Sequence, residues 1–195
     1  MSTRTQSGSV SPSYFEEKYR GDIDPWRFRT SPYEREKYDA TVRALSKPRY
    51  RNGLEVGCAI GVLSALLAPR CEQLIAMDSS PTAIAEAKRQ ELPNVKFETA
   101  VLPDEFPDGV FDLIVLSEVL YYFAEDDLMN LAQKCLDTLE PGGQIILCHW
   151  LGETDYPLTG HQAGDLFAKA FSKRRPTRLI LHEGVYRLER LSFAN

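Results

Sequence analysis

Gly57, Asp78, Leu102, Ser117, Glu118 and His149 each stand where an apolar run ends, which is where an α/β sheet collects its ligand. Gly57 and Gly61 bracket the turn Glu55-Val56-Gly57-Cys58-Ala59-Ile60-Gly61. Missing Cβ atoms there let a ligand approach the backbone and let the next helix present its N-terminus. A strand-to-helix turn also needs glycine for geometry alone, so the turn by itself is a weak signal. Asp78 strengthens it, because a carboxylate after the second strand accepts hydrogen bonds from both vicinal hydroxyls of a ribose. The plain alternative is a helix-capping aspartate ahead of Ser79 and Ser80. A glycine turn and an acid at this spacing point to a nucleoside.

Dinucleotide and adenosylmethionine enzymes both use such a pair. The dinucleotide pattern G-x-G-x-x-G is broken here by Ala59 and Val62, which hinder close approach of a pyrophosphate. Glu55, just before the turn, repels phosphate and suits an ammonium or sulfonium charge. Both features favour the methionine-bearing nucleoside.

Positioning these residues requires alternating strands and helices. Leu54–Val56, Gln73–Met77, Val95–Glu98, Phe111–Leu116 and Gln144–Cys148 read as buried strands. Helical spacing follows through Leu63, Leu66 and Leu67, then after the Ser80 cap through Ile84 and Ala87, then from Asp126 or Asp127 to Leu136, stopping before Pro141-Gly142-Gly143. Strands apolar on both faces predict a parallel sheet covered on both sides, a doubly wound α/β fold. Arg178–His182 and Val185–Phe193 predict a hairpin, which puts an antiparallel strand at or near one edge. Ahead of the core, Tyr14–Leu45 predicts two or three helices, with Ser31 capping one that starts at Pro32. Residues 1–12 read as a disordered tail and 13–195 as one domain, with a helical cap over 13–47 and a core over 48–195.

The chain has 195 residues, 43% hydrophobic and 26% charged, with a formal charge of -5, so a polyanionic nucleic acid or an acidic membrane surface is not an expected partner. The basic cluster Lys173-Arg174-Arg175 with Arg178 reads as a solvated loop. Cys58, Cys71, Cys135 and Cys148 show no metal-ligand spacing, and no apolar run is long enough to cross a bilayer, so a reducing cytoplasm is the expected location.

The motifs Leu54–Gly61, Ile75–Asp78, Phe111–Ser117 and Leu139–Gly143 resemble those of class I S-adenosylmethionine-dependent methyltransferases. Within that class the chain is most similar to the nodulation protein S group, through Gly57–Gly61, Ser117–Tyr122, Asp24-Pro25-Trp26 and Ser31–Glu34. The likeness runs from Tyr14 to Ser172. It implies a Rossmann-like sheet of seven strands, mostly parallel with the last inserted antiparallel, under an N-terminal helical lid. It implies S-adenosylmethionine lying across Gly57, Cys58, Ala59 and Gly61, with Asp78 and Ser79 at the ribose and Ala100, Val101 and Leu102 at the adenine. Ser117 and Glu118 would lie under the methionine, and Trp26, Ser31 and Tyr33 would close from the lid. Ala59 and the lack of an acid at Ala100 or Val101 depart from the class pattern.

The expected reaction is methyl transfer to N or O of a small molecule, with an amino sugar or glycan intermediate as the specific suggestion of the likeness. Such a displacement needs positioning and exclusion of water more than acid-base machinery. An amine must still be neutral when it attacks, which makes Glu118, Tyr122 and His149 the candidate catalytic residues, with Tyr121 and His161 behind them. The competing readings are a non-catalytic adenosylmethionine-binding module and a nicotinamide oxidoreductase.

Overall fold

The computed structural model describes residues 8–194. Two helices, α1 (Pro12–Gly21) and α2 (Pro32–Arg43), precede the sheet. The Ser31 hydroxyl accepts the Glu34 amide at 3.3 Å and Pro32 takes the first position, as expected of that cap. The core then runs β1 (Tyr50–Val56), α3 (Val62–Leu67), β2 (Cys71–Asp78), α4 (Pro81–Lys88), β3 (Val95–Thr99) and β4 (Phe111–Ser117). It continues through α5 (Glu125–Thr138), β5 (Leu139–Trp150), α6 (Gly160–Ala170), β6 (Thr177–Glu183) and β7 (Tyr186–Ser192).

The seven strands lie in the order β3-β2-β1-β4-β5-β7-β6. Pairs among β1 to β5 are parallel, and β7 runs antiparallel between β5 and β6, so the hairpin leaves the parallel β6 on the rim and inserts the final strand. Alternation along β4 shows the double winding. Ile114 and Leu116 pack with Leu128 and Leu131 of α5 and Phe167 of α6, whereas Leu113 and Val115 pack with Tyr38 of α2 and Leu63 and Leu67 of α3. The order reverses between β1 and β4, which opens a crevice at their carboxyl ends.

Three expectations need correction. Of the tail expected at 1–12, residues 1–7 lie outside the described residues, but Val10 N donates to Tyr122 O at 2.8 Å and Ala124 N to the Ser9 hydroxyl at 2.9 Å. A backbone donor at the start of α5 and a carbonyl acceptor in the preceding turn thus give a polar segment partners that its composition does not reveal. β1 begins at Tyr50, four residues ahead of the expected Leu54, because Arg51 N and Asn52 N both donate to the Asp112 carboxylate at 3.0 Å. β5 already starts at Leu139, with Gly142 in the left-handed region at φ +70°, so Pro141-Gly142-Gly143 kinks a strand instead of forming a free turn.

Candidate functional site

The crevice at the switch point is a cleft of about 870 Å³. At its centre the glycine turn and Asp78 hold each other. Asp78 Oδ2 accepts from Ala59 N at 2.9 Å and Oδ1 from Ser80 N at 2.9 Å. Burial pushes this carboxyl up from its ordinary value, and the amides of Ser80, Ala59 and Ser79 pull it back down. The acid is therefore fixed on the turn with lone pairs left for a diol.

Gly57 has φ +75°, and a Cβ there would meet Val119 at 3.1 Å, so glycine lets the turn and the β4 loop close on each other. Cys58 and Ala59 line the same wall, Ala59 at φ +52°, a left-handed alanine in the place where the pattern has glycine. Gly61 does not line the cleft. It caps α3 at φ +80°, where a Cβ would meet Ala87 and Phe97 at 3.1 Å, so its glycine serves packing.

Glu55 is 1% exposed yet borders the cleft, and the Ser64 hydroxyl donates to it at 2.5 Å. Burial raises its carboxyl to about 7 against that bond. Ser117, 8% exposed, borders the cleft with a hydroxyl that has no hydrogen-bond partner. A buried acid able to charge and an unmatched hydroxyl fit the amino-acid end of a nucleoside cofactor. Ser79, Val101 and Leu102 border the cleft beyond Asp78, together with Asp104, which supplies an acid on that side that the sequence reading had missed.

The lid reaches the cleft as expected through Trp26 and Tyr33, whereas Ser31 stays at the cap of α2. It also brings in Phe15, Tyr19, Glu34 and Lys37, which the sequence reading did not name as site residues. Lys37 is 2% exposed, with Nζ 2.7 Å from Glu118 Oε1 and 3.0 Å from Glu34 Oε1. Glu34 and Lys37 are three apart on one helix face, but that spacing also describes an ordinary surface ion pair.

Glu118 lies in the cleft wall, and both its oxygens are engaged. Oε1 takes Lys37, and Oε2 accepts the Tyr121 hydroxyl and, at 3.0 Å, Trp150 N. This carboxylate is a clamp and not a free base. Tyr122 also borders the cleft, edge-on to Phe15 and to Tyr156. Burial raises the Tyr121 and Tyr122 hydroxyls well above their ordinary value, so neither serves as an anionic base.

The structure does not bring His149 or His161 into the cleft. His149 is 2% exposed, Nε2 accepts the Leu120 amide at 3.2 Å, and burial lowers the ring to about 4. It thus holds the turn that carries Tyr121 and Tyr122; the pairing of β7 with β5 sets His149 opposite Arg187. His161, on α6, lies 3.2 Å from an Arg187 guanidinium nitrogen.

A sheet of this order with a glycine turn and a bound acid at the tips of β1 and β2 is the Rossmann-like fold of the methyltransferases. The family model described as nodulation protein S (NodS) matches residues 15–164, and the chain belongs to that family. It is 34% identical over 127 residues to nodulation protein S of Rhizobium tropici, covering 63% of this chain and 53% of that protein. The chain thus spans about half the length of that curated relative. A Pseudomonas syringae crystal structure described as a candidate methyltransferase is 37% identical, with a TM-score of 0.72 over 82% of this chain and 98% of that one. N-methyltransferase NodS from Bradyrhizobium japonicum WM9, solved with S-adenosyl-L-homocysteine, is 24% identical with a TM-score of 0.76 over 93% of this chain and 99% of that one, which speaks for the fold.

Proposed function

We propose that this chain is an S-adenosylmethionine-dependent methyltransferase acting on an amine nitrogen of a small molecule. The observation that carries the reading is the Asp78 carboxylate, anchored by Ala59 N and Ser80 N at the edge of the cleft, with lone pairs left to accept from a ribose diol. Membership of the family and the N-methyltransferase named above support it. The amine is supported by charge: among the described residues bordering the cleft Lys37 is the one Lys or Arg, and it is matched by Glu34 and Glu118. A phosphate or carboxylate acceptor would meet an acidic wall. An amino sugar is one amine that this wall accommodates.

S-adenosylmethionine, when bound, supplies a methyl group made electrophilic by its sulfonium. The chain's residues hold and shield. Asp78 would take the ribose hydroxyls, Glu55 would face the ammonium charge, and the unmatched Ser117 hydroxyl would bond at the same end. α1 and the loop between α1 and α2 roof the cleft with Phe15, Tyr19 and Trp26, which keeps water from the reacting atoms. The acidic wall concentrates amines, and the neutral fraction attacks.

Calorimetric titration with S-adenosylhomocysteine tests the cofactor half. Wild-type protein should bind it and not NAD, and Asp78→Asn should weaken binding at least about tenfold, as loss of a charged hydrogen-bond acceptor does. Turnover on matched amine, alcohol and phosphate acceptors tests the other half. Binding of NAD in preference, or methylation confined to alcohols, would defeat the reading.

A further inference from the structure

We infer that Lys37 is a positioning residue for the cofactor subsite, acting through Glu118 to hold the β4 loop against the glycine turn. The inference rests on the cofactor reading above. Glu118 sits at φ +56°, a left-handed conformation that an L side chain occupies only when its surroundings impose it. Its amide donates to Cys148 O at 2.7 Å, and its carboxylate is held from three directions, by the lid helix, by Tyr121 and by the end of β5. The backbone at Glu118 sets its two neighbours. Ser117 presents the unmatched hydroxyl, and Val119 is the residue that a Cβ on Gly57 would meet at 3.1 Å. The floor of the methionine subsite therefore depends on a left-handed residue whose side chain is tied across 81 positions to a buried lysine.

Charge makes the tie asymmetric. Two carboxylates, Glu34 and Glu118, share one ammonium. Without it they would face each other across a buried space, and Glu34, whose carboxyl burial already raises, would lose the ammonium that pulls it back down. The other groups facing them carry no charge near neutral pH. On α2 the Tyr33 hydroxyl is raised to about 12 and that of Tyr38 is raised well above its ordinary value. Beside Glu118 the Tyr121 hydroxyl and the Cys148 thiol are raised, and the His149 ring is lowered to about 4. Glu55 weakens binding on the acid side in wild type and variant alike, so a new alkaline loss in a variant without Lys37 belongs to the carboxylate pair.

The test is titration of S-adenosylhomocysteine into wild type, Lys37→Met and Lys37→Met/Glu118→Gln across the neutral and mildly alkaline range, with thermal melts to confirm folding. Lys37→Met should bind at least about tenfold more weakly, the usual scale for stripping one partner from a buried pair. Its affinity should fall further as pH rises, because the second deprotonation leaves two like charges that push Glu118 off Tyr121 and Trp150. Wild type should show no such alkaline loss. In the double variant the amide at 118 keeps its carbonyl bonds without the repulsion, so part of the affinity should return and the alkaline loss should vanish. Should the single variant fail to fold, the double, which keeps the net charge of the cluster, decides: affinity weakened severalfold with no alkaline loss supports the inference, and wild-type affinity overturns it. Wild-type binding with a Lys37→Met affinity that is unchanged, or lower by one constant factor at every pH, overturns the inference alone. A wild-type protein that does not bind overturns the cofactor reading, and the inference with it.

Discussion

At the scale of single residues the cleft is a set of carboxylates in different electrostatic states. Glu55 has few donors and a carboxyl raised to about 7, whereas Asp78, only partly buried, is anchored by three amides. A ligand ammonium favours the charged form of Glu55, so the carboxyl in the complex titrates below its value in the free protein. The contribution of Glu55 to S-adenosylhomocysteine affinity is then full above about pH 7 and is lost as pH falls through that value. Calorimetry across the neutral range should show weaker binding on the acid side, and Glu55→Gln should flatten the dependence. An acid-side affinity equal to the alkaline one would exclude Glu55 from ammonium recognition. His149 teaches the converse: a histidine at a strand tip is a natural catalytic candidate, yet with its ring lowered to about 4 and Nε2 occupied by Leu120 N it contributes shape.

At the scale of elements, the turn from β1 to α3 contains three left-handed residues, Gly57, Ala59 and Gly61, and the last two have opposite demands. Ala59 stands at φ +52° and Gly61 at φ +80°. A left-handed L residue costs roughly 1–2 kcal/mol, and replacing alanine with glycine returns about 0.4–1 kcal/mol of unfolded-state freedom. Ala59→Gly should therefore stabilise by about 0.5 kcal/mol, a rise in Tm of about 1–2 °C by calorimetric melting. Gly61→Ala should destabilise by roughly 1–3 kcal/mol, because its Cβ would meet Ala87 and Phe97 at 3.1 Å and the Gln90 amide nitrogen at 2.6 Å. Equal and opposite shifts at the two sites, or stabilisation by both, would contradict this account of the turn.

At the scale of the whole molecule, the lid is fastened to both sides of the crevice. Glu16 on α1 accepts the Ser80 and Thr82 hydroxyls at 2.7 Å, which latches α1 to the N-terminus of α4, while Ser9 and Val10 bond the approach to α5. The Ser80 and Thr82 bonds lower the Glu16 carboxyl from 4.5 to about 2. A depressed acid stabilises the fold above its unfolded value, so this contribution is complete above about pH 4.5 and fades as pH drops toward 2. Glu16→Ala should abolish that part of the acid dependence in urea melts and speed tryptic cleavage after Arg20 and Arg27 at neutral pH. Cleavage at the wild-type rate would mean that α1 is held without this latch.

Much of the site was legible in the sequence because its chemistry is local. A strand ending in glycine must turn, an acid at the end of the next strand must face the same crevice, and Ser31 and Ser80 cap the helices that follow them. Continuous apolar runs likewise determined a covered parallel sheet, and the spacing of the last two strand-like runs a closing hairpin. The tertiary structure alone decided which distant elements meet. Lys37 is an ordinary helix lysine until α2 folds onto the end of β4, and Glu118 has the makings of a base until Lys37, Tyr121 and Trp150 N occupy it. Backbone periodicity says which face a side chain takes. Which charge or which strand then covers that face, and so whether a group is free or neutralised, depends on contacts between residues far apart in the chain.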